Sequence, residues 1–102
     1  MELQAKCYTG VMIESCTDLQ QVRNLIIFGD VTCEPITKVV LTISEQYDST
    51  LLDFVADMYT TKHNAIDIYI NVRHESVYNA LYYELFEHDL LSSLLHITNL
   101  DS

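Results

Sequence analysis

The side chains of this sequence with types suited to chemistry are four histidines, three cysteines and an excess of acids over bases, fifteen against five. His63, His74, His88 and His96 could in principle bind a metal ion. His74-Glu75 begins the HExxH pattern, in which two histidines one helical turn apart hold zinc, but position 78 is Tyr and the second ligand is missing. Glu84 and His88 share a helix face at a spacing of four, which is a workable pair of ligands. A structural zinc takes four, so a solvated ion pair is the simpler reading. Ser15, Cys16 and Asp18 cluster in sequence, but a Ser/Thr/Asp group ahead of a helix is first of all a cap, and nucleophilic catalysis needs a base and an orienting group as well. Cys7, Cys16 and Cys33 are odd in number and share no CxxC spacing. They imply neither a disulfide framework nor a zinc knuckle, and read as buried or half-buried free thiols. Gly10 and Gly29 are isolated and cannot build a phosphate-cradling loop. Carboxylates paired across the fold could do glycoside chemistry, but that needs a deep pocket, and so short a chain has few loop residues to make one. The expectation is a protein that is no enzyme and takes no cofactor or metal.

The acids carry a stronger signal. Glu45, Asp48, Asp53 and Asp57 gather around one helical stretch, and Glu75, Glu84, Glu87 and Asp89 around the next. Residues four apart on a helix lie about 6 Å from each other, and phosphates along a DNA strand are about 6 to 7 Å apart. Carboxylates on two neighbouring helices could therefore imitate a short run of phosphates. Lys6, Lys38, Lys62 and Arg73 fall mainly on or near strands, which would leave one face more negative than the average. A formal net charge of −10 repels nucleic acid and anionic membranes and attracts basic surfaces. Direct binding of DNA or RNA needs the opposite footprint. The plain alternative is that the acids only keep a small protein in solution.

In size and acidity the chain resembles the small phage-encoded inhibitors that disarm host restriction or CRISPR systems by mimicking DNA. The resemblance is one of type, without a shared motif, and those proteins have no common fold. It implies an inhibitor that presents Glu45, Asp48, Asp53, Asp57, Glu75, Glu84, Glu87 and Asp89 to a basic nucleic-acid-binding host protein or nuclease. A bacterial immunity protein facing a basic nuclease toxin would use the same physics. The competing expectation is an adaptor or regulatory subunit that binds a protein partner through an open sheet face, with the acids serving only for solvation.

These groups must be positioned by strands and helices, and the periodicity says which. Residues 3–14 alternate, with Leu3, Ala5, Cys7, Val11 and Ile13 on one side, as a half-buried strand bent at Gly10 would. Residues 17–28 space Leu19, Val22, Leu25 and Ile26 as a helix, with Ser15 or Thr17 as its cap and Gly29 at its C-terminal end. The run from Leu25 to Phe28 also suits a strand, which would make residues 3–44 an antiparallel meander. Residues 36–44 read as a strand with Val39, Leu41 and Ile43 on one face. Residues 48–61 read as a helix with an apolar stripe of Leu51, Val55, Met58 and Tyr59. A strand over residues 66–73 and a helix from Glu75, with Val77, Leu81, Leu85 and Phe86 inward, repeat that plan at an offset of 27. Shared architecture explains the repeat as well as duplication does. In the tail, Leu90, Leu91, Leu94 and Leu95 have helical spacing, and Asp89 could cap a short last helix or the preceding helix could run on.

Strict alternation in the strand over residues 66–73 marks a sheet covered on one face only. The predicted fold is α/β, with α+β as its variant: a two-layer sandwich of three or four strands with helices on one face. The other face would expose Asp67, Tyr69, Asn71 and Arg73, with Asp67, Tyr69 and Asn71 available for contact with a second copy in a homodimer. At 102 residues, 49% apolar and without linkers, the chain fits one domain, residues 1–102. No apolar run approaches the roughly 18 residues a membrane span needs, and the first residues lack the order of a secretory signal. A cytoplasmic protein, host-cytoplasmic if viral, is expected.

Overall fold

The computed structural model describes residues 2–32, 34–61 and 66–100. In chain order the elements are β1 (Leu3–Tyr8), β2 (Ile13–Cys16), α1 (Leu19–Thr32), β3 (Lys38–Ile43), α2 (Ser49–Thr61), β4 (Asp67–Val72), α3 (Glu75–Glu87) and β5 (Leu95–Asn99). The sheet is mixed and five-stranded, in the order β2-β1-β3-β4-β5. Strand β1 is antiparallel to β2 and β3, whereas β3, β4 and β5 run parallel. Each helix connects parallel strands, and all three crossovers step across the sheet in the same direction. Right-handed crossovers that step one way stack their helices on one face.

Burial follows from that arrangement. Cys7, Val39, Ile68 and Leu95 form one cross-strand row of the core face, and Ala5, Leu41 and Ile70 form the next. The helices cover these rows with Leu19, Val22 and Ile26 from α1, Leu51, Phe54, Val55 and Met58 from α2, and Leu81 and Leu85 from α3. The fold is thus α+β. It has more strands than the three or four expected, because two segments read differently in sequence.

The first is residues 3–14, expected as one bent strand. It is instead a hairpin, closed by Thr9, whose hydroxyl accepts hydrogen bonds from the amides of Val11 and Met12 at 3.2 and 2.9 Å. The turn resets the alternation, so Cys16 points into the core while Ile13, opposite Tyr8, lies on the other face and is 61% exposed. Val11, also expected inside, is exposed at the turn. Gly10 has open space where a side chain would go, so the turn does not depend on a glycine there.

The second is the tail, expected as a helix and found as β5. Helix α3 ends in a Schellman arrangement, in which the Leu90 amide reaches the Leu85 carbonyl at 2.8 Å and the Asp89 amide that of Phe86 at 3.1 Å. Asp89 takes the left-handed conformation this requires, with φ 56°, and so closes α3 rather than capping a further helix. The chain beyond is free to add a strand beside β4, where pairing overrides the helical preference of leucine.

Residues 19–28 lie in α1 (Leu19–Thr32) and not in a third strand of a meander. The cap is Asp18, whose carboxylate accepts the Gln21 amide at 2.8 Å, while the Gln21 side chain accepts the Thr17 amide at 2.8 Å. Helix α2 starts likewise on Asp48, which accepts the Thr50 amide at 3.0 Å.

Candidate binding surfaces

The eight carboxylates predicted as a partner surface fall into local sets. Asp48 and Glu84 come together in a groove of about 480 Å³ between α2 and α3, lined also by Tyr47, Ser49 and Leu52. Hydrogen bonds from the Thr50 hydroxyl and amide hold the Asp48 carboxyl below its ordinary range. Glu84 accepts the Tyr47 hydroxyl. Burial first, and the Glu84 charge and hydrogen bond after it, push Tyr47 up to about 12. Asp57 is on the opposite flank of α2, where Arg23 of α1 meets it at 3.0 Å. Arg23 also lies over the Phe54 ring, 5.6 Å from its centre, and its Nε is buried without an acceptor. Asp53 and Glu45 are exposed. Glu75 borders a groove of about 700 Å³ at the carboxyl ends of β4 and β5, with Arg73, His74, Thr98 and Asn99. Glu87 accepts the Tyr83 hydroxyl, an interaction that raises the Tyr83 pKa. The carboxylates of α2 and α3 therefore face in several directions.

Charge is nonetheless divided between the two layers. Lys6 and Lys38 are on the sheet face away from the helices, each in the alternate register to the core residues of its strand. Arg73 follows the carboxyl end of β4, and Lys62 lies outside the described residues. Among those described, Arg23 is the one Lys or Arg within the three helices. Its position one helical turn after Leu19 and next to Val22, beside the core stripe, is the signal that a helix cation would reach a neighbour.

Helix α3 carries a feature the sequence reading turned inward. Phe86 is 68% exposed, because Leu85 takes the core direction and Phe86 follows it by about 100° around the helix. Tyr82 and Tyr83 are 47% and 62% exposed. With Tyr78 and Asn79 they line a shallow groove of about 500 Å³. The signal for this site was the run Tyr82-Tyr83 next to Phe86, more aromatic surface than one helix face can bury alongside Leu81 and Leu85.

The sheet face opposite the helices has its own cluster. Asp67, Tyr69 and Asn71 are half-buried there. The Tyr69 and His96 rings stack with centres 4.4 Å apart, and His96 Nε2 is 3.5 Å from an Asp67 oxygen. The Lys38 ammonium is 4.5 Å from the centre of the Tyr8 ring and 5.5 Å from that of Tyr69.

Among the described residues the thiols and histidines do not assemble a metal-holding cluster. Cys7 and Cys16 are buried and free, in contact with each other, and burial followed by the influence of Cys16 pushes the Cys7 thiol up to about 12. A thiol so raised stays protonated and is a poor nucleophile. Ser15, Cys16 and Asp18 diverge: Ser15 pairs with Lys6, Cys16 enters the core, and Asp18 caps α1. Cys33 and His63 lie outside the described residues. Among the described residues no group of three His, Cys, Asp or Glu side chains is placed to hold a metal ion, and no helix is long and apolar enough to cross a membrane. No family model, curated protein or solved structure matches this chain significantly.

Proposed function

We propose that this chain is a non-enzymatic acidic binding protein that takes a basic protein partner against its helix layer. In the specific form of this reading, it inhibits a nucleic-acid-binding host protein or nuclease by covering the surface where nucleic acid would sit. The observation that supports it is the division of charge. The helices carry Asp53, Asp57, Glu75, Glu84 and Glu87 against Arg23 alone among the described residues, while Lys6 and Lys38 are on the opposite face. Such an asymmetric field orients an approaching cationic surface and repels duplex DNA. Glu45, Asp48 and Asp89 extend the negative rim.

The protein immobilised and challenged with host lysate should capture a basic partner that elutes early in a salt gradient. If the captured protein binds DNA, adding this chain should release the DNA. Asp53→Lys combined with Glu87→Lys should remove the effect. Asp57 is the poorer choice for reversal, since Arg23 already occupies it. Retention of the same partner by the double variant would reject this reading.

The stacked Tyr69–His96 pair beside Lys38 favours a second reading, an adaptor that meets its partner, or a second copy, through the open sheet face. Tyr69→Ala should then abolish a salt-tolerant complex. An unchanged complex and oligomeric state would remove that option.

A further inference from the structure

We infer that the exposed aromatic face of α3 is the docking site for a basic amphipathic helix of a protein partner. The inference rests on the acidic-binding reading and gives that reading a location and a kind of ligand. Tyr78, Tyr82 and Phe86 recur at intervals of four and so form a ridge along α3. The Tyr78 and Tyr82 rings are already aligned, with centres 6.2 Å apart and planes inclined by 22°. Tyr83 widens the ridge, and its hydroxyl is fixed by Glu87. The core beneath is filled by Leu81 and Leu85, both fully buried, and Tyr78 packs partly against it, so Tyr82, Tyr83 and Phe86 are not needed to complete it. Clustered apolar surface rimmed by polar groups is the signature of a contact site.

Charge chooses the occupant. The acids of α3 beside this face are Glu75 and Glu87, Glu84 being turned into the groove with α2, and the helix contains no Lys or Arg. A second copy docking helix against helix would set these carboxylates against their own images, which is repulsive. A bilayer with anionic lipids is repelled by the same groups. A helix with leucine-like anchors and flanking arginines satisfies both features. Its apolar side chains enter the aromatic groove, while its guanidinium groups reach Glu87 and Glu75 or lie on the tyrosine faces.

The test uses the full chain and three labelled synthetic peptides of about five helical turns. One has leucine on one face and arginine on the flanks. In the second, glutamate replaces arginine, and in the third, serine replaces leucine. Fluorescence anisotropy should show binding of the arginine–leucine peptide and weakening by about tenfold or more in Tyr82→Ser/Phe86→Ser, equivalent to about 1.4 kcal/mol. Glu87→Lys should weaken it too. Ile27→Ser/Phe28→Ser, which alters the exposed apolar residues of α1, should not. All these positions are exposed, so the variants should melt as the parent does.

Equal binding of the glutamate–leucine peptide would overturn the inference, because charge would then play no part. If the leucine-free arginine peptide binds as tightly, and the α3 variants leave it unchanged, the inference fails while the acidic-binding reading stands. Failure of both arginine peptides to bind rejects the two together. A dimer in sedimentation that dissociates in Tyr82→Ser/Phe86→Ser would make the face a self-contact and overturn the proposal.

Discussion

Gly29 lies inside α1, where alanine would ordinarily favour the helix by about 1 kcal/mol. Here a Cβ would stand 2.7 Å from the Glu34 carbonyl oxygen and 3.4 Å from the Pro35 Cα. Both are backbone atoms, and the Glu34 amide is tied to the Gly29 carbonyl at 3.2 Å, so neither can swing away like a side-chain end. Forcing them apart costs about 1 to 3 kcal/mol. Gly29→Ala should therefore destabilise the fold by about 1 kcal/mol net in urea titration, and a stabilised variant would show that the connection after α1 is not held so closely. The sequence marked Gly29 as a helix end. Its actual use, the close passage of residues 34–35, depends on a tertiary approach that spacing cannot reveal. Cys7 and Tyr47 supply a second prediction at this scale. Their pKa values rise from 9.0 and 10.0, each to about 12, so the folded chain keeps its protons longer than the unfolded one. Stability is unaffected by them in the neutral range, begins to fall as pH passes 9 on account of Cys7, and falls more steeply above 10, when Tyr47 joins. The slope for Cys7 is on the order of 1 kcal/mol per pH unit. Melting curves between about pH 8 and pH 11 should show this decline, and Cys7→Ala should show a shallower one. A flat profile would mean the thiol is better solvated than its burial indicates.

Among the elements, β3, α2, β4 and α3 were legible because each sustains one period over its whole length, with Val39, Leu41 and Ile43 alternating in β3 and Leu51, Val55 and Met58 at helical spacing in α2. The failures share a cause. Where the apolar run is short or follows a turn, periodicity cannot fix the phase. Unbroken alternation puts Ile13 inward because it carries no sign of the hairpin turn, and the segment of β5 reads as helix because Leu90, Leu91, Leu94 and Leu95, leading into it, have helical spacing. Apolar spacing groups Phe86 with Val77, Leu81 and Leu85 as inward, whereas its direction, about 100° on from Leu85, leaves it exposed. The two residues now give opposite expectations for similar truncations. Leu85→Ala removes a fully buried side chain beneath α3 and should cost about 2 to 5 kcal/mol. Phe86→Ala removes an exposed one and should change stability by no more than about 0.5 kcal/mol. Chemical denaturation of both variants checks this, and a large loss for Phe86→Ala would put that ring back in the core.

For the whole molecule, composition anticipated the strong acidity, and sequence position put Lys6 and Lys38 on strands. It did not anticipate how the carboxylates would be oriented, since Arg23 holding Asp57, Tyr47 holding Glu84 and Tyr83 holding Glu87 are all properties of packing. A net charge of −10 on a chain with a radius of gyration of 13.1 Å means that most acids lie within reach of others. The Debye length is about 10 Å at 0.1 M salt and about 3 Å at 1 M, so added salt screens repulsion within the fold and attraction to a cationic partner alike. The two effects differ in sign. Raising sodium chloride from about 0.02 to about 0.5 M should increase Tm by a few degrees, because the unfolded chain spreads its charge and gains less from screening. The same increase should weaken binding of an arginine-bearing peptide. Measured in one salt series, a rising Tm with falling affinity identifies an acidic surface maintained at a cost to stability, as expected where the carboxylates serve recognition. A Tm that falls with salt would mean that ion pairs such as Arg23–Asp57 outweigh the repulsion. The charge pattern would then be holding the fold together, and the helix layer would lose its claim to be a surface kept for a partner.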